Sequence, residues 1–170
     1  MASAASHANM PPLRRDGAMR RVPMERTRRS IAAETARYLG AASILVVGAI
    51  HAQQYYEAYF SYVPTIGTLF LLSFIGAAVV GVTLLAPVQK LSRRFGDLIL
   101  ALAALGAIGI ALGTLVSLIV SEYTPLFGFM ESGYRLAVVL TIVFDVLTAA
   151  FLGAFLVLIG PDLATAWAKR

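Results

Sequence analysis

The chain contains no cysteine. Disulfides, thiolate-held zinc, cysteine-ligated iron–sulfur clusters and dithiol redox chemistry are therefore excluded. Charge is scarce as well. Asp, Glu, Lys and Arg make up 14% of the 170 residues, against about 25% in an ordinary soluble domain. There are two lysines against twelve arginines, one tryptophan, and two histidines, His7 and His51. One histidine within the apolar part rules out bis-histidine haem ligation. No phosphate loop, nucleophile elbow or H-E-x-x-H stretch occurs. These absences remove most enzyme classes and leave a chain dominated by apolar side chains.

Hydrophobic residues account for 59% of the sequence. They fall into four segments, about 38–59, 65–85, 98–120 and 136–159. Each approaches or exceeds the roughly 20 residues that cross a bilayer core as a helix. The expected fold is all-α: a four-transmembrane-helix up-down bundle with a basic N-terminal arm over residues 1–37 and a short tail over 160–170. Pro64 stands where the second helix should begin, Pro87 where it should end, and Gly160-Pro161 where the fourth should stop. The arm carries Arg14, Arg15, Arg20, Arg21, Arg26, Arg28, Arg29 and Arg37. Its first part has too little apolar surface to fold alone, and a helix is expected from about Thr27 onward.

Charge placement predicts orientation. The arm, the loop with Lys90, Arg93 and Arg94, and the tail with Lys169 and Arg170 hold thirteen of the fourteen basic residues; only Arg135 falls on the opposite side. The positive-inside rule then puts both termini in the cytoplasm of a bacterial inner membrane. The arm is read as a topology signal with affinity for anionic lipid headgroups at the cytoplasmic face, in preference to nucleic acid, because no aromatic platform accompanies it. "TRRSIAA", Thr27 to Ala33, loosely resembles a twin-arginine export signal. Glu34, Arg37 and Ile50 disagree with cleavage near Ala52, so the segment is expected to be retained.

In the stretch "AIHAQQYYEAYF", Ala49 to Phe60, the polar cluster that opens at His51 follows thirteen residues without charge, Tyr38 to Ile50. Its tyrosines suit the headgroup zone where the first helix leaves the membrane. His51 is not explained that way. It lies about 12 Å below Tyr59 at helical rise. Asp145 lies nine residues inside segment four, about 13–14 Å from its outer end. A carboxylate at that depth costs about 2.5–3.5 kcal/mol to insert and needs a partner, water or a proton. The depth match predicts that His51 and Asp145 approach each other, directly or through water. One reading is a buried polar tie. The other is a proton relay or quinone headgroup site, with Gln54, Tyr55 and Glu57 in the vicinity. No resident cofactor is expected. A metal would need Glu57, Glu122 or Glu131 to converge on His51, which no spacing rule requires.

Gly106, Gly109, Gly113 and Ser117 form a small-residue stripe on segment three. It suits close helix packing, within the bundle or against another subunit. Ser73, Ser117 and Thr141 read as interhelical hydrogen-bond donors. The loop 121–135 carries Leu126, Phe127, Phe129 and Met130 and is expected to fold back onto the bundle or meet a partner.

His51 ahead of Tyr55-Tyr56, "PTIGTLF" (Pro64 to Phe70) and "LFGFMES" (Leu126 to Ser132) together resemble small four-helix membrane proteins of high-G+C bacteria. The resemblance covers about residues 38–159 and implies the architecture without any activity. Where those proteins carry a tryptophan-containing pair, this chain has Tyr55-Tyr56. The preferred functional reading is a non-enzymatic accessory or assembly subunit of a larger membrane complex. The competing reading is redox or proton handling at His51 and Asp145. A small-solute transporter is disfavoured, because neither broken helices nor an internal repeat is visible.

Overall fold

The computed structural model describes residues 21–57, 60–91, 93–128, 130 and 135–168. They form α1 (Arg21–Glu57), a single 3-10 turn (Phe60–Tyr62), α2 (Pro64–Leu85), the four-residue α3 (Val88–Leu91), α4 (Arg93–Tyr123) and α5 (Leu136–Ala168). Four of these helices are long and apolar enough to cross a membrane, over Thr27–Glu57, Pro64–Leu85, Phe95–Tyr123 and Leu136–Pro161. Helix is the form that satisfies every backbone polar group within a lipid-exposed segment. The chain is thus an all-helical four-helix bundle of membrane-spanning type.

The long helices form a ring. α1 lies against α2 and α5, α4 closes the ring between them, and α1 and α4 barely touch across it. α1 is the most buried of the four and α2 the least. The remaining faces are apolar and open, with Leu72 and Val79 on α2, Leu102 and Val116 on α4, and Val146 and Val157 on α5. Such faces suit hydrocarbon as surroundings.

Helix boundaries follow local chemistry. Pro64 opens α2, where its missing N–H is not needed. Ala86, held extended (φ −66°, ψ 143°) ahead of Pro87, ends it. Two boundaries differ from expectation. α1 is described from Arg21 onward, so half of the basic arm continues the first membrane helix. α5 does not stop at Gly160-Pro161 but runs through Pro161 to Ala168. A proline at 161 leaves the Val157 carbonyl without its helical N–H. Arg29 Nη2 donates to that oxygen at 3.5 Å. A neighbouring helix thus supplies the missing donor, which is how prolines are accommodated in membrane helices.

The bundle is packed unevenly along its length. The dry core, with Ala41, Ile44, Ala77, Leu84, Leu100, Ala104, Leu152 and Phe155, fills the half nearest α3. α4 enters it with Leu100, Ala103, Ala104 and Ala107, one face at helical spacing. The packing stripe of α4 is therefore alanine. Gly109, Gly113 and Ser117 lie on an exposed face, and added Cβ atoms at Gly109 and Gly113 would meet nothing within 4 Å. A Cβ added at Gly106 would make only an ordinary contact, 3.4 Å to Val80 Cγ1. Both stripes hold small residues at similar spacing, so sequence could not tell them apart.

Candidate functional site

The other half of the bundle, beside the 3-10 turn, encloses a cavity of about 440 Å³. All four long helices line it. α1 contributes His51 and Gln54, α2 Phe70 and Ser73, α4 Thr114, Ser117 and Ser121, and α5 Thr141. Apolar side chains such as Ile66, Ile110 and Leu118 complete the wall. Exposed lining residues, Leu69 and Leu72 on α2 and Gly109 and Gly113 on α4, mark a rim at the α2–α4 seam. The absence of side chains at the two glycines leaves that seam open. Leu126 reaches in from the loop after α4, where Phe127 and Gly128 both take positive φ (51° and 82°) and turn the chain back. Phe127 and Met130 face outward; Phe129 and Glu131 lie outside the described residues.

His51 is 6% exposed. Its Nδ1 lies 2.8 Å from the Val47 carbonyl, one turn back on α1. Its ring meets Phe70 at 5.2 Å between centroids, and Phe70 stacks on Phe60 at 4.9 Å. This three-ring ladder ties α1, the 3-10 turn and α2 together at the cavity end.

Asp145 is fully buried, at 0% exposure. Its Oδ2 meets Thr114 Oγ1 at 2.5 Å across the α4–α5 interface. Its Oδ1 has no hydrogen-bond partner among the described residues. From their depths His51 and Asp145 are expected to approach each other directly or through water; among the described residues they share no direct hydrogen bond. α1 and α5 are neighbours, but His51 turns toward α2 and Asp145 toward α4. Thr114 is the partner that the depth argument overlooked. It lies nine residues inside the end of α4 at Tyr123, as Asp145 lies nine inside the start of α5 at Leu136. Measured from the expected segment end at 120, Thr114 lies only six residues inside, so the sequence comparison could not have matched it to Asp145. Thr114 stands in the wall between the cavity and the buried carboxyl.

Other anticipated residues separate from the cavity. Of Gln54, Tyr55 and Glu57, only Gln54 lines it. Tyr55 sets its ring edge-on to Tyr56, 4.9 Å between centroids. Glu57 is exposed and accepts from Gln53 Nε2 at 3.1 Å. Helical rotation carries position 57 well away from the face of His51. Tyr56, Tyr62 and Tyr123 are exposed at this end, as an interfacial belt requires. Among the described residues, no three His, Asp or Glu side chains gather as a metal site would need.

At the opposite end, Arg28 and Arg29 are exposed. Arg21 and Arg26 lie on the first turns of α1. Arg14, Arg15 and Arg20 are outside the described residues. Arg37, expected as part of the solvated arm, is only 3% exposed. It donates to the Tyr38 hydroxyl at 2.6 Å, its guanidinium lies 4.5 Å over the same ring, and its Nε has no partner among the described residues. The continuous α1 helix carries it into the packed region. No protein-family model, curated protein or solved structure matches the chain.

Proposed function

We propose that this integral membrane protein is a binding module, not a catalyst, and that it receives an uncharged amphiphile from the bilayer in the cavity. One observation carries the reading: four helices converge polar groups on one space whose exposed lining at the α2–α4 seam is apolar, with Arg135 at another edge. Its volume of about 440 Å³ lies within the roughly 300–1,000 Å³ of small-molecule sites. The quinone reading of His51 is one member of this class.

Gly113→Leu tests it. A side chain at 113 has open space before it, so the fold should tolerate leucine while the rim is blocked. Protein taken from membranes in native nanodiscs should carry a neutral amphiphile enriched over bulk lipid by mass spectrometry. The variant should lose most of that enrichment at unchanged thermal stability. Identical lipid profiles for both proteins would sink the proposal.

An accessory role in a larger membrane complex is the second reading. The exposed, unpacked Gly109–Gly113 face of α4 supports it, because small residues allow a partner helix to come close. Purification of a stable lone monomer would count against it. In either reading we place both termini in the cytoplasm of a bacterial inner membrane, with Arg28 and Arg29 near anionic headgroups. The cysteine-free chain makes this easy to test. A membrane-impermeant maleimide should label Ser61→Cys in cells whose outer barrier has been opened, and Gln89→Cys only after lysis. The reverse pattern would invert the topology.

A further inference from the structure

Resting on the cavity reading above, the hydrogen-bond geometry defines the head group. We infer that the cavity selects an amphiphile whose uncharged head carries a hydroxyl donor, as a hydroquinol, phenol or long-chain alcohol does, over the matching ketone or ether.

The argument is a count of hydrogens. A carbonyl oxygen only accepts, so the 2.8 Å contact with Val47 requires that His51 Nδ1 carry the proton. The neutral ring then presents Nε2 as a bare lone pair. A hydroxyl has one hydrogen to give. Thr141 directs its own to the Ala137 carbonyl at 2.9 Å, and Ser121 to Leu118 at 2.8 Å. Thr114 has the Ala111 carbonyl at 2.9 Å and Asp145 at 2.5 Å, so its hydrogen is taken within the protein too. These four groups come from α1, α4 and α5, and what they leave over for the cavity is lone pairs. Gln54, Ser73 and Ser117 adapt to either role. Arg135, at the rim, has an interaction within the chain and five N–H donors in all, so it can serve an acceptor at the mouth; the donor rule is carried by the inner groups. A head that only accepts would leave the fixed lone pairs unanswered, and unmade hydrogen bonds in a buried site are costly. The proposal concerns binding alone; no electron or group is transferred.

Full-length protein in nanodiscs, kept anaerobic, distinguishes the alternatives by equilibrium binding of four probes with matched alkyl tails. The probes are a hydroquinone, its benzoquinone, its dimethyl ether and a simple alcohol. The hydroquinone should bind about tenfold or more tightly than the quinone and the ether. His51→Phe should reduce that preference, and His51→Gln, which keeps an acceptor oxygen, should retain much of it. Alcohol binding that equals the hydroquinone supports an aliphatic source for the natural ligand; weaker alcohol binding supports an aromatic one. If ether and quinone bind as well as the hydroquinone, the donor rule is overturned while the cavity reading stands. If no probe binds better to the parent than to Gly113→Leu, the cavity reading falls and this inference with it.

Discussion

Gly40→Ala should destabilise the bundle by about 1–3 kcal/mol, a large effect for one methyl group. Gly40 is buried where α1 crosses α5. A Cβ there would come within 2.5 Å of Leu152 Cγ and 3.4 Å of the Leu152 backbone nitrogen, and would also strike Cδ2. Cγ sits next to the stem of the side chain, so rotating the leucine tip cannot clear it. Leu152 is itself 0% exposed and has no free space to enter. The helices must separate. In lipid, close backbone approach is a main source of helix association, because burial from water contributes little between segments already in hydrocarbon. The damage thus falls on one of the two broadest seams of the bundle. Leu152→Ala alone should also destabilise, by leaving a void of the kind that costs about 2–5 kcal/mol. Together the two changes should partly cancel, since the new methyl enters the space the leucine left. Unfolding in mixed detergent micelles, read as a double-mutant cycle, should give a favourable coupling of about 1–3 kcal/mol. Strict additivity, or a Gly40→Ala protein as stable as its parent, would show that α1 and α5 are not packed this closely.

The same contact shows why parts of this fold were legible in the sequence and others were not. Run length, Pro64 and Pro87 located four helices, because hydrocarbon thickness and the missing proline N–H act on the chain locally. Pro161 misled, because its consequence is settled by a distant residue. Arg29 answers the Val157 carbonyl from 128 positions away. Gly40 carried no visible signal, and the stripe that did, Gly109 and Gly113, borders open space instead of the core. Spacing marks a face of a helix and does not say which neighbour covers it. Depth was the more informative measure for the site. It put His51 and Asp145 at similar levels, and both side chains are buried, but depth fixes height and leaves rotation free. Asp145 turned toward Thr114, and His51 toward Phe70 and the cavity.

That rotation predicts an asymmetry between two substitutions at one contact. Thr114→Val should be the more damaging and Asp145→Leu the milder. Thr114 has a second outlet, because the Ala111 carbonyl lies 2.9 Å from its oxygen. Removing the carboxyl therefore leaves the hydroxyl satisfied. Among the described residues Asp145 has none, because Thr114 is its one hydrogen-bond partner there and Oδ1 already lacks one. Removing the threonine oxygen strands a fully buried carboxyl, at a cost of about 1–3 kcal/mol or more. Replacing both members with apolar groups of similar shape removes the stranded group and should recover much of the loss, as apolar replacement of buried polar pairs often does. Thermal unfolding of the two single variants and the double variant gives the ranking directly. The expected order of stability places Thr114→Val below both Asp145→Leu and the double variant. If Asp145→Leu proved the most damaged of the three, the carboxyl would be making a contact that the Thr114 bond does not account for, and a tie running toward His51 would become the better explanation. Thr114 also lines the cavity, so the comparison has a second readout. Asp145→Leu should leave binding of the hydroxyl probe largely intact, because the aspartate is not part of the cavity lining. Loss of that binding in a stably folded Asp145→Leu protein would show that the buried carboxyl acts on the cavity through Thr114.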